Sequence, residues 1–110
     1  MKFKLETKQS KAIRISLLDD SGKEVARAFM FLITNDLHEG PYALLEDVFV
    51  NEEFRGQGLG KQIVKKAVEE AKSLGCYKII GTSRNLREKV HEFYRLLGFE
   101  EYGKEFRMNL

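Results

Sequence analysis

The 110 residues suffice for one domain with a real core and not for two. Hydrophobic residues make up 43%, charged residues 33%, and the net charge of +2 is spread along the chain, so no basic run points to nucleic acid as the main partner. No stretch approaches the length of an apolar membrane span, no signal-peptide pattern opens the chain, and the single cysteine, Cys76, has no partner for an internal disulfide. A protein of the reducing cytoplasm, without membrane association, is therefore expected. The two histidines, His38 and His91, lie far apart and have no cysteine partners, so no metal site is predicted.

The N-terminal third alternates as strands do. Phe3 and Leu5 alternate with Lys2, Lys4 and Glu6, and Ile13, Ile15 and Leu17 alternate with Arg14 and Ser16. Asp19-Asp20-Ser21-Gly22 is a turn signal, and Glu24 to Thr34 reads as the return strand of a hairpin. The loop from Asn35 to Pro41 leads into an apolar strand, Ala43 to Val50. In the next element Leu59, Ile63, Val64, Ala67, Val68, Ala71 and Leu74 share one helix face, and Gly75 supplies a left-handed cap. A strand from Tyr77 to Gly81 follows at once, which makes a βαβ unit with a parallel strand pair. Cys76, just before that strand, reads as a buried structural thiol.

A second helix is expected to bury Leu86, Val90, Phe93 and Leu97 and to end at Gly98. Asn85-Leu86-Arg87-Glu88 ahead of it reads as a capping box. Phe99–Tyr102 and Glu105–Leu110, around Gly103, make a last hairpin. The predicted order β-β-β-β-α-β-α-β-β describes an α/β (α+β) fold in which a mixed central sheet carries two main helices, all in one domain, residues 1–110.

Chemistry concentrates at Arg55-Gly56-Gln57-Gly58-Leu59-Gly60, between strand and helix. Glycines there leave backbone N–H groups unshielded at the positive end of a helix dipole, a ready site for phosphate. A P-loop is excluded, because Gly60-Lys61 is followed by Gln62 and the position five before Gly60 is Arg55. A dinucleotide fingerprint is excluded too: the glycine spacing differs, and the next strand ends in Gly81-Thr82-Ser83 without a ribose-binding acid.

The loop does match Arg/Gln-x-x-Gly-x-Gly/Ala, and it sits between Leu45-Glu46-Asp47-Val48-Phe49-Val50 and a helix carrying His91-Glu92-Phe93-Tyr94-Arg95-Leu96-Leu97-Gly98-Phe99. In order and spacing this resembles the Gcn5-related N-acetyltransferase (GNAT) superfamily over roughly residues 42–110. The resemblance implies an acetyl-CoA-dependent N-acetyltransferase of minimal form, acting on a primary amine by direct transfer in a ternary complex. Only Thr7 to Lys11 is available where the family inserts one or two helices after its first strand. The acceptor side should therefore be open, or completed by a second subunit in a homodimer.

An acceptor amine must lose its proton. At a pKa near 10.4 only about one alkylamine in 2,500 is neutral at pH 7, a contribution to the barrier of roughly 4–5 kcal/mol. The resemblance assigns that task to Glu46, whose neighbour Asp47 should point to the opposite face by strand alternation. It assigns Tyr94 to the cofactor sulfur, as a hydrogen-bond donor to the developing thiolate. Cofactor binding is carried over to the main chain of Val48, Phe49 and Val50, to Arg55, Gly56, Gln57, Gly58, Leu59, Gly60 and Lys61, and to Ser83 and Arg87. Asn85 either caps the second helix or touches the cofactor. His91 reads as a packed or solvent-facing residue. Asp36, His38 and Glu39 are expected to border the acceptor and to favour a cationic one. A module that binds acyl-CoA without catalysis is the alternative.

Overall fold

The computed structural model describes residues 1–110. Its elements are β1 (Lys11–Leu18), β2 (Glu24–Ile33), β3 (Tyr42–Val50), a 3₁₀ turn (Glu52–Phe54), α1 (Leu59–Ser73), β4 (Ile79–Gly81) and α2 (Glu88–Leu96). The four strands form one sheet in the order β1-β2-β3-β4. β1, β2 and β3 pair antiparallel, and β4 joins parallel to β3.

Local chemistry explains the hairpin. Gly22 takes the left-handed conformation at φ +86°. The Asp19 carboxylate accepts hydrogen bonds from the Ser21 hydroxyl at 2.7 Å and the Lys23 N–H at 3.0 Å. Those donors hold the Asp19 carboxyl below its ordinary range. Beyond the turn, Arg14 donates three times to Glu24, at 2.8, 2.9 and 3.1 Å, across the strand pair.

One sheet face packs on α1. Ile63, Val64, Ala67 and Ala71 are buried against Ala28, Met30, Ala43 and Leu45. Alanine on both sides of this contact lets helix and sheet approach closely, while Met30 and Val64 fill the space between. Burial of side chains of that size contributes roughly 1.5–3 kcal/mol each. Gly75, at φ +77°, ends α1 as expected, and the chain turns straight into β4. Cys76 packs against the same core, and burial raises its thiol pKa, as suits a structural cysteine.

Four sequence expectations are corrected. Residues 2–6 form no strand and are exposed, because Thr7-Lys8-Gln9-Ser10 offers no turn to bring them back beside β1. Residues 99–110 form no hairpin: β4 has three residues, an edge too short to hold two further strands. Tyr77 and Lys78 precede the regular part of β4, although the Tyr77 N–H still reaches the Pro41 carbonyl at 3.1 Å. α2 begins later than the capping box requires. Its N-cap is Arg87, which makes no side-chain cap bond, so Asn85 caps nothing and Leu86 stays 95% exposed.

Candidate functional site

The site begins where two strands part. β4 pairs with β3 at Ala43, Leu44 and Leu45 and then stops at Gly81. β3 continues through Glu46–Val50 with β2 on one side and no strand on the other. A backbone edge is thus left available beside the C-terminal end of the short parallel pair.

A bulge shapes that edge. Arg27 pairs with Phe49 and Phe29 with Glu46, so Ala28 alone opposes both Asp47 and Val48. Asp47 adopts φ +51°, the only non-glycine residue with a positive φ. Arg27 holds it there through Nε–Oδ2 and Nη2–Oδ1 contacts of 2.9 and 3.3 Å. The guanidinium also holds the Asp47 carboxyl below its ordinary range. The bulge overturns the alternation expected for this stretch: Glu46 and Asp47 line one cavity instead of facing opposite ways. None of the chain's ion pairs involves Glu46.

α2 brings Tyr94 to the gap. Its ring lies on the bare Cα of Gly81, so close that a Cβ there would meet Cε1 at 3.1 Å and the hydroxyl at 3.4 Å. Phe93 and Phe99 flank it edge-on, with ring centroids 5.5 and 5.1 Å away. Burial, and secondarily the Glu46 carboxylate, push the phenol pKa up, while the Arg87 guanidinium partly opposes them. Glu46, Tyr94 and Arg87 therefore share one electrostatic neighbourhood.

The glycine loop closes the site on the β3 side. Gly56 and Gly58 have φ of +81° and +78°, and a left-handed Gly58 is the N-cap of α1. The helix's first backbone bond runs from the Gln62 N–H to the Gly58 carbonyl at 3.1 Å. Leu59, Gly60 and Lys61 thus present N–H groups with no acceptor in the chain, and no side chain caps them. Gly60 sits against Phe93 and Val50, which ties the loop to α2 and β3. The exposed Gln57 and Lys61 side chains lie beside it. Arg55 does not reach into the loop: its Nε donates to the Val50 carbonyl at 3.0 Å and its guanidinium lies 5.5 Å from the Phe49 ring.

The segment after β4 is organised by one carbonyl. Arg84 O accepts the Arg87 N–H at 3.0 Å and pairs with His91 Nε2 at 2.8 Å. His91 is therefore a structural pin, and Ser83, half-buried, makes only a 3.5 Å contact to the same carbonyl. Residues 35–41 lie elsewhere. His38 stacks on Tyr77 at 4.1 Å, at the Tyr42 end of β3, and neither Asp36 nor Glu39 lines the cavity beside Glu46. That cavity, about 700 Å³, opens on the sheet face away from α1, over Phe29, Phe31, Ile33 and Leu44. Sequence reading missed Gly81 as the platform for Tyr94; a glycine ending a strand that faces an aromatic helix was the available signal.

The chain matches the Acetyltransferase (GNAT) family over residues 4–99. It is 41% identical over 66 residues to a glucosamine 6-phosphate N-acetyltransferase of Trypanosoma brucei brucei, covering 60% of this chain and 43% of that protein. It is 33% identical over 63 residues to the thialysine N-epsilon-acetyltransferase of Bos taurus, covering 57% and 37%. A crystal structure of a Trypanosoma brucei acetyltransferase superposes with a TM-score of 0.80 at 30% identity, over 90% of this chain and 69% of that one. The chain spans less than half the length of these two curated relatives. No helix is long and apolar enough to cross a membrane.

Proposed function

The chain belongs to the acetyltransferase (GNAT) family, and from that premise we propose that it moves an acetyl group from acetyl-CoA to a primary amine by direct transfer in a ternary complex. One observation carries this reading: at the parting of β3 and β4, Tyr94 rests on Gly81 within electrostatic reach of the unpaired Glu46. The residues present fit the cofactor, since Leu59, Gly60 and Lys61 offer free N–H groups in a cradle of bare glycines.

Acetyl-CoA supplies the acetyl group and a thiol leaving group. The chain's own residues would do the rest. Gly56 to Lys61 hold the pyrophosphate, and the free edge of Val48, Phe49 and Val50 receives the extended arm as an added strand does. Arg55 leaves the Val50 carbonyl for that pairing, and Ser83 and Arg87 line the opposite wall. The Glu46 carboxylate takes the proton of the acceptor ammonium, directly or through water. Tyr94, whose raised pKa keeps it protonated, donates a hydrogen bond toward the sulfur.

A homodimer is part of this proposal. Phe3, Leu5, Tyr102, Phe106, Met108 and Leu110 are exposed on terminal segments outside any regular element. Sedimentation of a monomer at all concentrations would remove it. A cytoplasmic location rests on the single, reduced Cys76.

The test is acetyl-CoA-dependent thiol release across amines, amino sugars, polyamines and lysine peptides, with Tyr94→Phe alongside. Turnover with one acceptor, reduced in the variant, is expected. Acetyl-CoA binding without turnover on any of them would favour a non-catalytic acyl-CoA-binding module.

A further inference from the structure

We infer that the acceptor is a primary amine carried on a flat apolar body, an arylalkylamine, and not a phosphorylated sugar. The inference rests on the acetyltransferase reading only for which end of the cavity is the reactive one. The floor of the cavity is Phe29, Phe31, Ile33 and Leu44, and its polar end is Glu46 with Asp47. Phe29 and Phe31 lie parallel, with centroids 6.4 Å apart and 20° between planes, an apolar shelf on which a ring can lie. Phe31 is 36% exposed while Arg14 lies over Phe29, so the open part of the shelf is its Phe31 end.

Charge decides the rest. Arg14 and Arg27 approach this face and both are committed, while the unpaired Arg87, near Tyr94, does not line the cavity. Arg14, 5.4 Å over the Phe29 ring, is bonded to Glu24, and Arg27 is bonded to Asp47. No lysine or arginine lines the cavity, and the one unpaired charge at it is the Glu46 carboxylate. A phosphate would meet an uncompensated anion and an apolar floor, whereas an ammonium finds its counter-charge.

Register sets the spacing. Glu46 is the cross-strand partner of Phe29, and Leu44 of Phe31. Two residues along a strand separate Glu46 from Leu44 and Phe31, the open end of the shelf, by about 7 Å. A ring lying on Phe31 and Leu44 therefore needs a short alkyl chain, about two carbons, to bring its nitrogen to Glu46.

The experiment compares phenethylamine, ethylamine and glucosamine 6-phosphate as acceptors for wild type and Phe31→Thr, a change that keeps a strand-favouring residue at an exposed site. Saturation-transfer NMR of phenethylamine supplies a second readout independent of turnover. The inference expects kcat/KM for phenethylamine to exceed that for ethylamine by at least 10-fold. In Phe31→Thr the KM for phenethylamine should rise about 10-fold while ethylamine is unaffected. Preference for glucosamine 6-phosphate would overturn the substrate class and leave acetyl transfer standing. Phenethylamine bound, weakened by Phe31→Thr, but never acetylated would keep the apolar amine site and remove the catalytic reading. Phenethylamine neither bound nor turned over would overturn the inference.

Discussion

Gly81 is where a single methyl group tests the site. Its backbone φ is not positive, so alanine brings no strain of its own, but the added Cβ would lie 3.1 and 3.2 Å from Cε1 and Cζ of Tyr94. Carbon atoms rest at about 3.5–4.0 Å, so the ring must retreat by roughly 0.5 Å. It cannot rotate away freely, because Phe93 and Phe99 flank it. If a displacement of about 1 Å costs about 100-fold in rate, half of that costs about 10-fold. Gly81→Ala should therefore lower kcat about 10-fold and leave the KM for acetyl-CoA within about 2-fold, as expected of an interaction made in the transition state. Overpacking should also cost about 1–3 kcal/mol of stability, so kcat is read well below Tm. Tyr94→Phe already lacks the hydroxyl, and adding Gly81→Ala to it should cost little more. Losses that add fully in the double variant would refute the reasoning, since Gly81 would then act other than through the Tyr94 hydroxyl.

Two further outcomes follow from the same geometry. In an ultraviolet titration of tyrosine ionisation, Glu46→Gln should lower the Tyr94 pKa and Arg87→Ala should raise it further, and shifts of the opposite sign would disprove their shared neighbourhood. Because the folded Tyr94 pKa lies above its ordinary value near 10, its contribution to stability is fully present below about pH 10 and is lost as pH rises through the folded value. Urea unfolding of Tyr94→Phe should show a shallower alkaline loss. At the bulge, Asp47→Gly and Asp47→Ala both remove the ion pair with Arg27, but only alanine is strained at φ +51°. The glycine variant should be the more stable by about 1–2 kcal/mol, and equal midpoints in urea would contradict the left-handed assignment.

What was legible in the sequence was local. α1 and its glycine entry announce themselves because Ile63, Val64, Ala67 and Ala71 recur at helical spacing and Gly58 and Gly75 mark the ends. The β1–β2 hairpin is legible from Asp19 to Gly22 for the same reason. Pairing is not local. Phe106, Met108 and Leu110 alternate as well as any strand, yet alternation cannot say whether an edge exists to receive them. The bulge at Asp47 was hidden because alternation assumes a regular pleat. Glu46 and Tyr94 were singled out by motif, but their approach, and the placement of Gly81 between β4 and α2, depends on where β3 and β4 part. Asn85 satisfied a capping pattern that the chain does not use, because α2 starts three residues after it.

α2 has nine residues and none is buried. A helix of that length is marginal alone in water, and this one is held mainly by Phe93, Tyr94, Leu97 and Phe99 against the edge of the core. Of the two helices it is therefore the one that opens more readily, since α1 buries four residues in the core. The consequence concerns affinity. A ligand that needs Tyr94 and Arg87 in place binds only the fraction of molecules with α2 docked, so its apparent dissociation constant is the intrinsic one divided by that fraction. Reagents that stiffen α2 would tighten binding without touching the ligand, and amide exchange in Glu88–Leu96 would slow on saturation far more than in α1.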